Sequence, residues 1–554
     1  MPTRLLRSMR PWSVLVMLAP AFVLAQGVQP FIEHWDAKKT IKKSEGLFVN
    51  GREWGEWKFY DAEGRLKEQA DFKSGERDGR VRIYYENGVV KHDGWFKQGK
   101  EDSVLVNRYR DGDIMERGTY ALGKKAGTWH YFYPDSMPML TEQWTDSTLL
   151  INDAWDREGH HTLEKGDGRM ETYYGSGAVM EECNYRAGLR SGPCTTFHPA
   201  GNPAARGEYV QGKKNGTWKY WFSDDQLEKL ETFKEGELTG HFEQYFRTGE
   251  PNVVGRFQDG MKDSVWTWYT RLGKKDQQGP FLADKRQGVW KYWYPNGELS
   301  STGAFENDKE QAEWVYFYEG KQFWKKGEYD QGVKTGVWTT WFESGQKLQE
   351  GPYVNGLEEG EWHSWFADGK EQTIGTFHEG KMNGIWRGFF PDGQPDFEGS
   401  YANDLKHGPW KLYTESPPGK EIGGRIKEEG SYAEGKKSGR WVTFNIHGIP
   451  VAEGSYVNGM PDGQWTYYDD AGVKLREQGY RNGDPEGLCI IYDKRMRKIQ
   501  EMTYRNGRLH GTMTVYGADG KPVRTTEYVD GEVKKVPPPA TDDKPKGGGV
   551  PGGR

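Results

Sequence analysis

Three cysteines, a histidine pair and a recurring tryptophan are the residues of this 554-residue chain whose types and spacing could do chemistry. Cys183 and Cys194 stand near enough for a disulfide across a hairpin, whereas Cys489 stands alone. His160-His161 offers imidazole to a metal, but no cysteine or further histidine lies at ligand spacing, so the pair reads as a solvated loop. The run from Gly430 through Gly435-Lys436 comes near a phosphate loop. Lys437 stands where that motif needs Ser or Thr, and the motif must also open a helix. Neither HExxH nor GxSxG occurs. The carboxylates alternate with lysines and fall mostly in turns, which reads as solvated faces and protected edges, and no pair is singled out for glycosidic acid–base work. Trp221, Trp293, Trp341 and Trp365 recur at one repeat position, where exposed rings could stack on a sugar or hold a partner peptide. The alternative is that they pack in a thin sheet short of aliphatic side chains. The chain is expected to be non-catalytic, with no cofactor and no metal.

The elements that must position these residues follow from composition and periodicity. With 75 Gly, 29% charged and 34% hydrophobic residues and a mean hydropathy of −0.93, the chain would fit disorder. An aromatic content of 14% overturns that, since aromatic rings favour strands and glycine favours turns. The formal net charge of −6 leaves no basic excess to attract nucleic acid. Aromatic anchors recur every 24 residues, as in Phe48, Phe72, Phe96 and Tyr120, and again from Tyr185 through Phe233 to Tyr401. Counting the anchor as offset 0, glycine recurs at +3, +7 and +16, Trp at +9 and an aromatic at +12. Turn signals near +2 and near +15, such as Asn458-Gly459 and Asn296-Gly297, separate short segments rich in Tyr, Trp, Phe and Thr. The expected fold is all-β: an elongated antiparallel β-meander of about 20 hairpin repeats of 24 residues and about 40 strands, a single-sheet repeat rod.

Comparison of the copies predicts the register. Twelve units carry Trp at +9, and in every one offset −2 is Gly: Gly46 with Trp57, Gly207 with Trp218, Gly327 with Trp338, Gly454 with Trp465, and the rest alike. The glycine of the following strand accompanies Trp in only eight of the twelve. A glycine facing Trp lets the indole cover its bare backbone. Offset −2 should therefore face +9, and by extension 0 should face +7. One unit replaces the pair with Cys183 and Cys194, which should then face each other and form a disulfide in an exported protein. Cys489 occupies a Trp position and reads as a small core filler. Strand alternation puts +12 on the face opposite +9 unless a bulge intervenes.

The boundaries are as follows. Arg4, Arg7 and Arg10 precede an apolar stretch from Pro11 to Leu24 and small residues before Gln26, so 1–25 reads as a signal peptide with cleavage near Ala25, an uncleaved anchor being the alternative. A lead-in spans 26–45, a first block of repeats 46–143, a shortened irregular unit 144–160 and a second block 161–415. An inserted loop (416–429), a third block (430–535) and a disordered Pro/Gly-rich tail (536–554) complete the chain. Irregular loops on a regular scaffold are the preferred positions for specificity.

The recurring G-x-Y-x-x-G-x-x-x-G-x-W-x-x-Y core, as in Gly207–Tyr220, resembles the bacterial variant of the MORN-type repeat, found in the toxin–antitoxin system YwqK-family antitoxin group. The resemblance covers nearly all of the chain after the leader. It implies a scaffold whose partner is a protein, and with the leader the expectation is an exported protein in the bacterial envelope (periplasm or outer surface) or outside the cell. Binding of membrane lipid or polysaccharide through the aromatic row is the alternative. An antitoxin-type inhibitor or an enzyme is the less favoured expectation.

Overall fold

The computed structural model describes residues 27–146, 148–416 and 423–535, so the expected leader and tail lie outside the described residues. Among the described residues there are 46 β-strands and no helix, hence no helix long and apolar enough to cross a membrane. Residues up to Pro251, with Phe257–Gly260, form one compact unit, and Asn252–Arg256 with the residues from Met261 onward form a second. Each is an open antiparallel meander in which a strand pairs with those before and after it in sequence. The strand number exceeds 40 partly because a bulge splits some strands in two, as at Lys285–Arg286 and Gly288–Trp293. The lead-in is itself structured: Val28–His34 pairs with Lys42–Val49. At the inserted loop, strand Ile426–Ala433 begins inside the segment expected to be loop.

The two turns of each repeat differ in kind. At +2 and +3 both residues take positive φ, as in Asn458 (52°) and Gly459 (83°), which is the two-residue I′ hairpin whose twist matches the strands. Near +15 it is the residue at +16, usually glycine, that does so. Asn296 is not left-handed while Gly297 is (94°), and Gly297 N–H donates to Tyr294 O at 2.8 Å in a three-residue hairpin loop. The I′ turns are stitched together: Gly332 N–H donates to Glu310 O at 2.8 Å and Gly356 N–H to Lys334 O at 3.0 Å, each reaching back to +5 of the preceding repeat. At the other end, in several repeats where +13 is Tyr, its hydroxyl donates to the carbonyl at +12 of the next repeat. Tyr85, Tyr109, Tyr294 and Tyr318 donate to Arg108, Phe132, Phe317 and Trp341 at 2.7–2.9 Å.

Between these edges lies the tryptophan ladder. In all twelve Trp units a Cβ built on the −2 glycine would fall 2.0–2.3 Å from the indole of its own hairpin, so no side chain other than hydrogen fits. The indole nitrogen bridges the same hairpin: Trp57, Trp218, Trp338 and Trp465 donate to the carbonyls of Leu47, Glu208, Glu328 and Ser455 at 3.1–3.2 Å. The anchor ring meets Trp edge to face, as for Tyr329 and Trp338 with centroids 5.1 Å apart at 84°. These neighbours bury Trp218 to 2% and Trp338 to 3% exposure.

The expected facing of −2 with +9 is present, as Gly399 opposite Trp410. The expected facing of 0 with +7 is corrected: Tyr401 pairs with Lys406, at +5, because the register shifts between Gly399 and Ser400. The two extra residues on the second strand form a bulge, where the +7 glycine takes positive φ (Gly408, 66°). That glycine instead faces the anchor of the next repeat, as Gly336 faces Tyr353. Trp likewise pairs along its other edge with the −2 residue of the next repeat, as Trp338 with Gly351 and Trp57 with Ala70. Contact there leaves room for a side chain, which is why the second glycine is not obligatory.

Replacing Gly327 by Ala is expected to destabilise its repeat by about 1–3 kcal/mol, since the new methyl must displace Trp338. Trp338→Phe should cost about 1 kcal/mol through the lost bond to Glu328, beyond the smaller area buried. Urea unfolding of both variants checks the order.

Candidate functional site

The regular frame fails once in the first unit, and a cleft opens there. Strand His161–Glu164 has only four residues where regular strands have eight or nine, so material is missing from the sheet between Leu149–Trp155 and Asp167–Tyr173. The gap is a cleft of about 730 Å³, walled by Tyr109, Tyr133, Trp155, Tyr173 and Tyr174, with Met139, Leu140 and Met170 beneath. Polar groups rim it: Asp156, Arg157, Glu158, Arg169 and Glu171.

These side chains are held in place. Tyr133 Oη–H donates to Trp155 O at 3.0 Å, and the Trp155 ring lies flat on His161 with centroids 4.6 Å apart. The Arg157 guanidinium sits over the Tyr173 ring at 5.5 Å. Tyr173 Oη–H donates to Glu171 at 2.8 Å, and Arg169 bridges Glu171 and Glu182 at 2.9 and 2.6 Å. Burial, and then the bond to Glu171, push the Tyr173 phenol up to about 12. Burial also raises Tyr133 and Tyr109, so the phenols remain neutral donors. Thr172 Oγ1, on the same wall, is buried without a hydrogen-bond partner. Aromatic walls with a nearly charge-balanced rim suit a ligand that is apolar along its body and polar at its ends, such as a peptide side chain.

Under the gap an aliphatic and sulfur core replaces the tryptophan ladder: Ile151, Ala154, Leu163, Cys183, Tyr185, Cys194 and Ala205 close on Trp218. Cys183 faces Cys194 directly, their Cα atoms 4.1 Å apart, and the structure joins them as a disulfide. Cys489 is buried and free, and burial raises its thiol pKa, which disfavours the reactive thiolate. His160 and His161 each meet a carboxylate, Asp156 at 2.9 Å and Asp153 at 3.2 Å. Asp156, Glu158 and His160 lie close together, but the first two shape a turn at an exposed rim.

Trp221, Trp293, Trp341 and Trp365 are half-buried on the face opposite the ladder. Strand alternation places them there, because Trp218 and Tyr220 share the ladder face. They are not gathered into one site. Trp341 packs on Phe323 at 5.5 Å, Trp365 stacks on His363 at 5.6 Å, and Lys275 lies over Trp293 at 5.6 Å. At the inserted loop, residues 417–422 lie outside the described residues. Its neck is closed by Thr414 N–H to Arg425 O at 2.9 Å and Gly423 N–H to Ser416 Oγ at 3.0 Å.

One row of functional groups is not apparent from the repeat frame. The residue at +5 is often a cation laid on the tryptophan ring: Lys125 over Trp129 at 4.0 Å, Lys214 over Trp218 at 4.3 Å and Lys406 over Trp410 at 4.1 Å. Tallying charge by offset would have found it, but the two-residue bulge that brings +5 beneath the ring would not follow from that tally.

Seven segments match the family model of the MORN repeat variant: residues 55–74, 77–94, 166–187, 214–235, 286–307, 334–355 and 382–403. These seven segments are of the MORN repeat type. No curated protein matches the chain. Among solved structures, one titled as TcdB2-TccC3 is 12% identical over 81% of this chain and 28% of its own, at a TM-score of 0.13. A complex of TcdB2-TccC3 with Cdc42 is 10% identical over 90% of this chain and 32% of its own, also at 0.13. The Photorhabdus luminescens Tc holotoxin pore is 10% identical over 90% and 31%, at 0.12. The chain thus spans about a third or less of their length, and TM-scores this low establish no shared architecture.

Denatured protein kept from reductant is expected to titrate one thiol, Cys489, and three after reduction. Replacing both Cys183 and Cys194 by Ala should cost about 2–4 kcal/mol, read by urea unfolding.

Proposed function

We propose that this array of MORN-type repeats is a non-catalytic scaffold or spacer, exported to the bacterial envelope or beyond, that holds a protein partner at the irregular repeat. The observation that carries this reading is the cleft at residues 133–175. A regular repeat presents the same surface again and again and cannot mark one place. The break supplies a single position with its own shape, backed by rigid strands and lined by rings that contribute contact area at low entropic cost. Export is supported by the basic, then apolar, first 25 residues and by a pair of facing cysteines, which an oxidising compartment would keep bonded. The half-buried Trp293, Trp341 and Trp365 favour a second reading, in which glycan or lipid is held by that row.

Cross-linking of the tagged protein in cells, followed by mass spectrometry of envelope and medium, is expected to recover one protein neighbour at near-stoichiometric yield. Trp155→Ala and Arg169→Glu should lose it while Trp365→Ala retains it. Recovery of polysaccharide or lipid alone, abolished by Trp365→Ala, would replace this reading with the second. The recovered chain should begin at Gln26. An intact Met1 on cytosolic protein would remove the export step.

A further inference from the structure

The first and last strands are open sheet edges among the described residues, and each holds the part of a hairpin that the other lacks. Strand Val28–His34 pairs with Lys42–Val49 alone. It is built as the second strand of a repeat. Phe31 faces Gly46 and meets Phe48 edge to face at 5.1 Å, just as Trp338 at +9 faces Gly351 and meets Tyr353 of the next repeat. Trp35, four residues later, donates its indole N–H to Tyr60 O at 3.0 Å, the bond that Tyr109 makes from +13 to Phe132 O. Val28–His34 therefore stands at offsets +6 to +12 without a first strand beside it, and Phe31 is only half-buried.

The last edge is the converse. Pro522–Val529 spans −6 to +1 of the repeat anchored at Tyr528, and its second strand stops short. Glu532–Val533 pairs with Tyr528 and Val529, and Lys534 N–H donates to Glu527 O at 2.8 Å, as Gln287 N–H does to Pro280 O at 2.9 Å in a complete repeat. There the strand resumes as Gly288–Trp293. Here offsets +9 to +11 are Pro537, Pro538 and Pro539, which offer neither an amide N–H nor an aromatic ring.

We propose that a second copy of this chain completes the hairpin, with Val28–His34 of one copy added antiparallel beside Pro522–Val529 of another. In the cell this rests on removal of residues 1–25, part of the proposed export. Each edge carries unpaired backbone groups that an added strand satisfies. In the register that sets Cys183 opposite Cys194 and Glu181 opposite Thr196, Phe31 falls opposite Thr526, and Glu33 falls opposite the exposed Arg524, its opposite in charge. The prolines do not forbid the pairing: Pro30 at +8 and Pro522 at −6 match Pro409 and Pro395, whose strands are paired on both sides. The two edges differ, so a joined pair still presents one edge of each kind and association continues head to tail.

The test is sedimentation of the chain from Gln26 to Arg554, whose mass is expected to rise with concentration past that of a dimer. Arg524→Glu should raise the concentration for half-association by about fivefold or more, because like charges then face each other. Adding Glu33→Arg should recover most of that loss. Oxidation reads the register: Phe31→Cys in one copy should link to Thr526→Cys in another, the arrangement of Cys183 and Cys194, and should not link to Thr525→Cys, whose side chain lies on the other face. A monomer at every concentration, association indifferent to Arg524→Glu, equal linkage to Thr525→Cys, or a doubly substituted chain that links only within itself overturns the proposal. A leader retained in cells would remove the export reading and leave these measurements unchanged, so the two fail separately.

Discussion

The structure depends on one contact, an indole laid across a bare backbone. Because the −2 glycine has no side chain, the Trp ring of the same hairpin can lie against the peptide plane and donate its N–H one residue further on. That placement does three things at once. It buries a large apolar surface without a second layer, ties two strands by a side chain, and gives the anchor rings of adjacent repeats a flat wall to meet edge to face. Phenylalanine could supply the surface but not the hydrogen bond, and alanine at −2 would leave the ring nowhere to lie. The rest of the repeat serves this contact: the bulge at +7 twists the second strand, and the cation at +5 closes over the exposed ring face.

A ladder of this kind needs its edges fixed, because a slip of one residue would turn every ring to the wrong face. The stitched I′ turns fix one edge, and tyrosines at +13 tie the other in the repeats that carry them. Both sets of bonds run between repeats, so each repeat is held by its neighbours and stability should be a sum of local terms. The same locality explains how the chain tolerates a damaged repeat. Around His161–Glu164 the aromatic ladder is absent, and Leu163, Ile151 and the cysteine pair fill the space with smaller groups.

Regularity also bears on function. Identical surfaces repeated along a sheet give contact area but no address, so specificity has to come from departures. The shortened repeat makes a concave, aromatic-walled place. The four-residue strand still pairs with both of its neighbours, so the sheet acquires a concave position without losing its continuity.

Much of this was legible in the residues. The 24-residue frame, the hairpins, the all-β class and the partnership of Gly207 with Trp218 or Gly327 with Trp338 follow from spacing and from the coincidence of two residue types across copies, because these are local properties of a strand pair. The partner of the anchor was not legible. A bulge costs two residues that look no different in sequence from strand, and it moved Tyr401 from Gly408 to Lys406. The cleft was not legible either: the shortened repeat could be seen, but whether its neighbours close over the gap or leave it open depends on how Tyr133, Trp155 and Tyr173 pack across strands far apart in sequence. Sequence alone determined the unit and the facing of −2 with +9, through short-range sterics, but not the bulge that resets the rest of the hairpin. Tertiary structure decided which side chains meet between units, because those contacts depend on the accumulated twist and bulges of several strands.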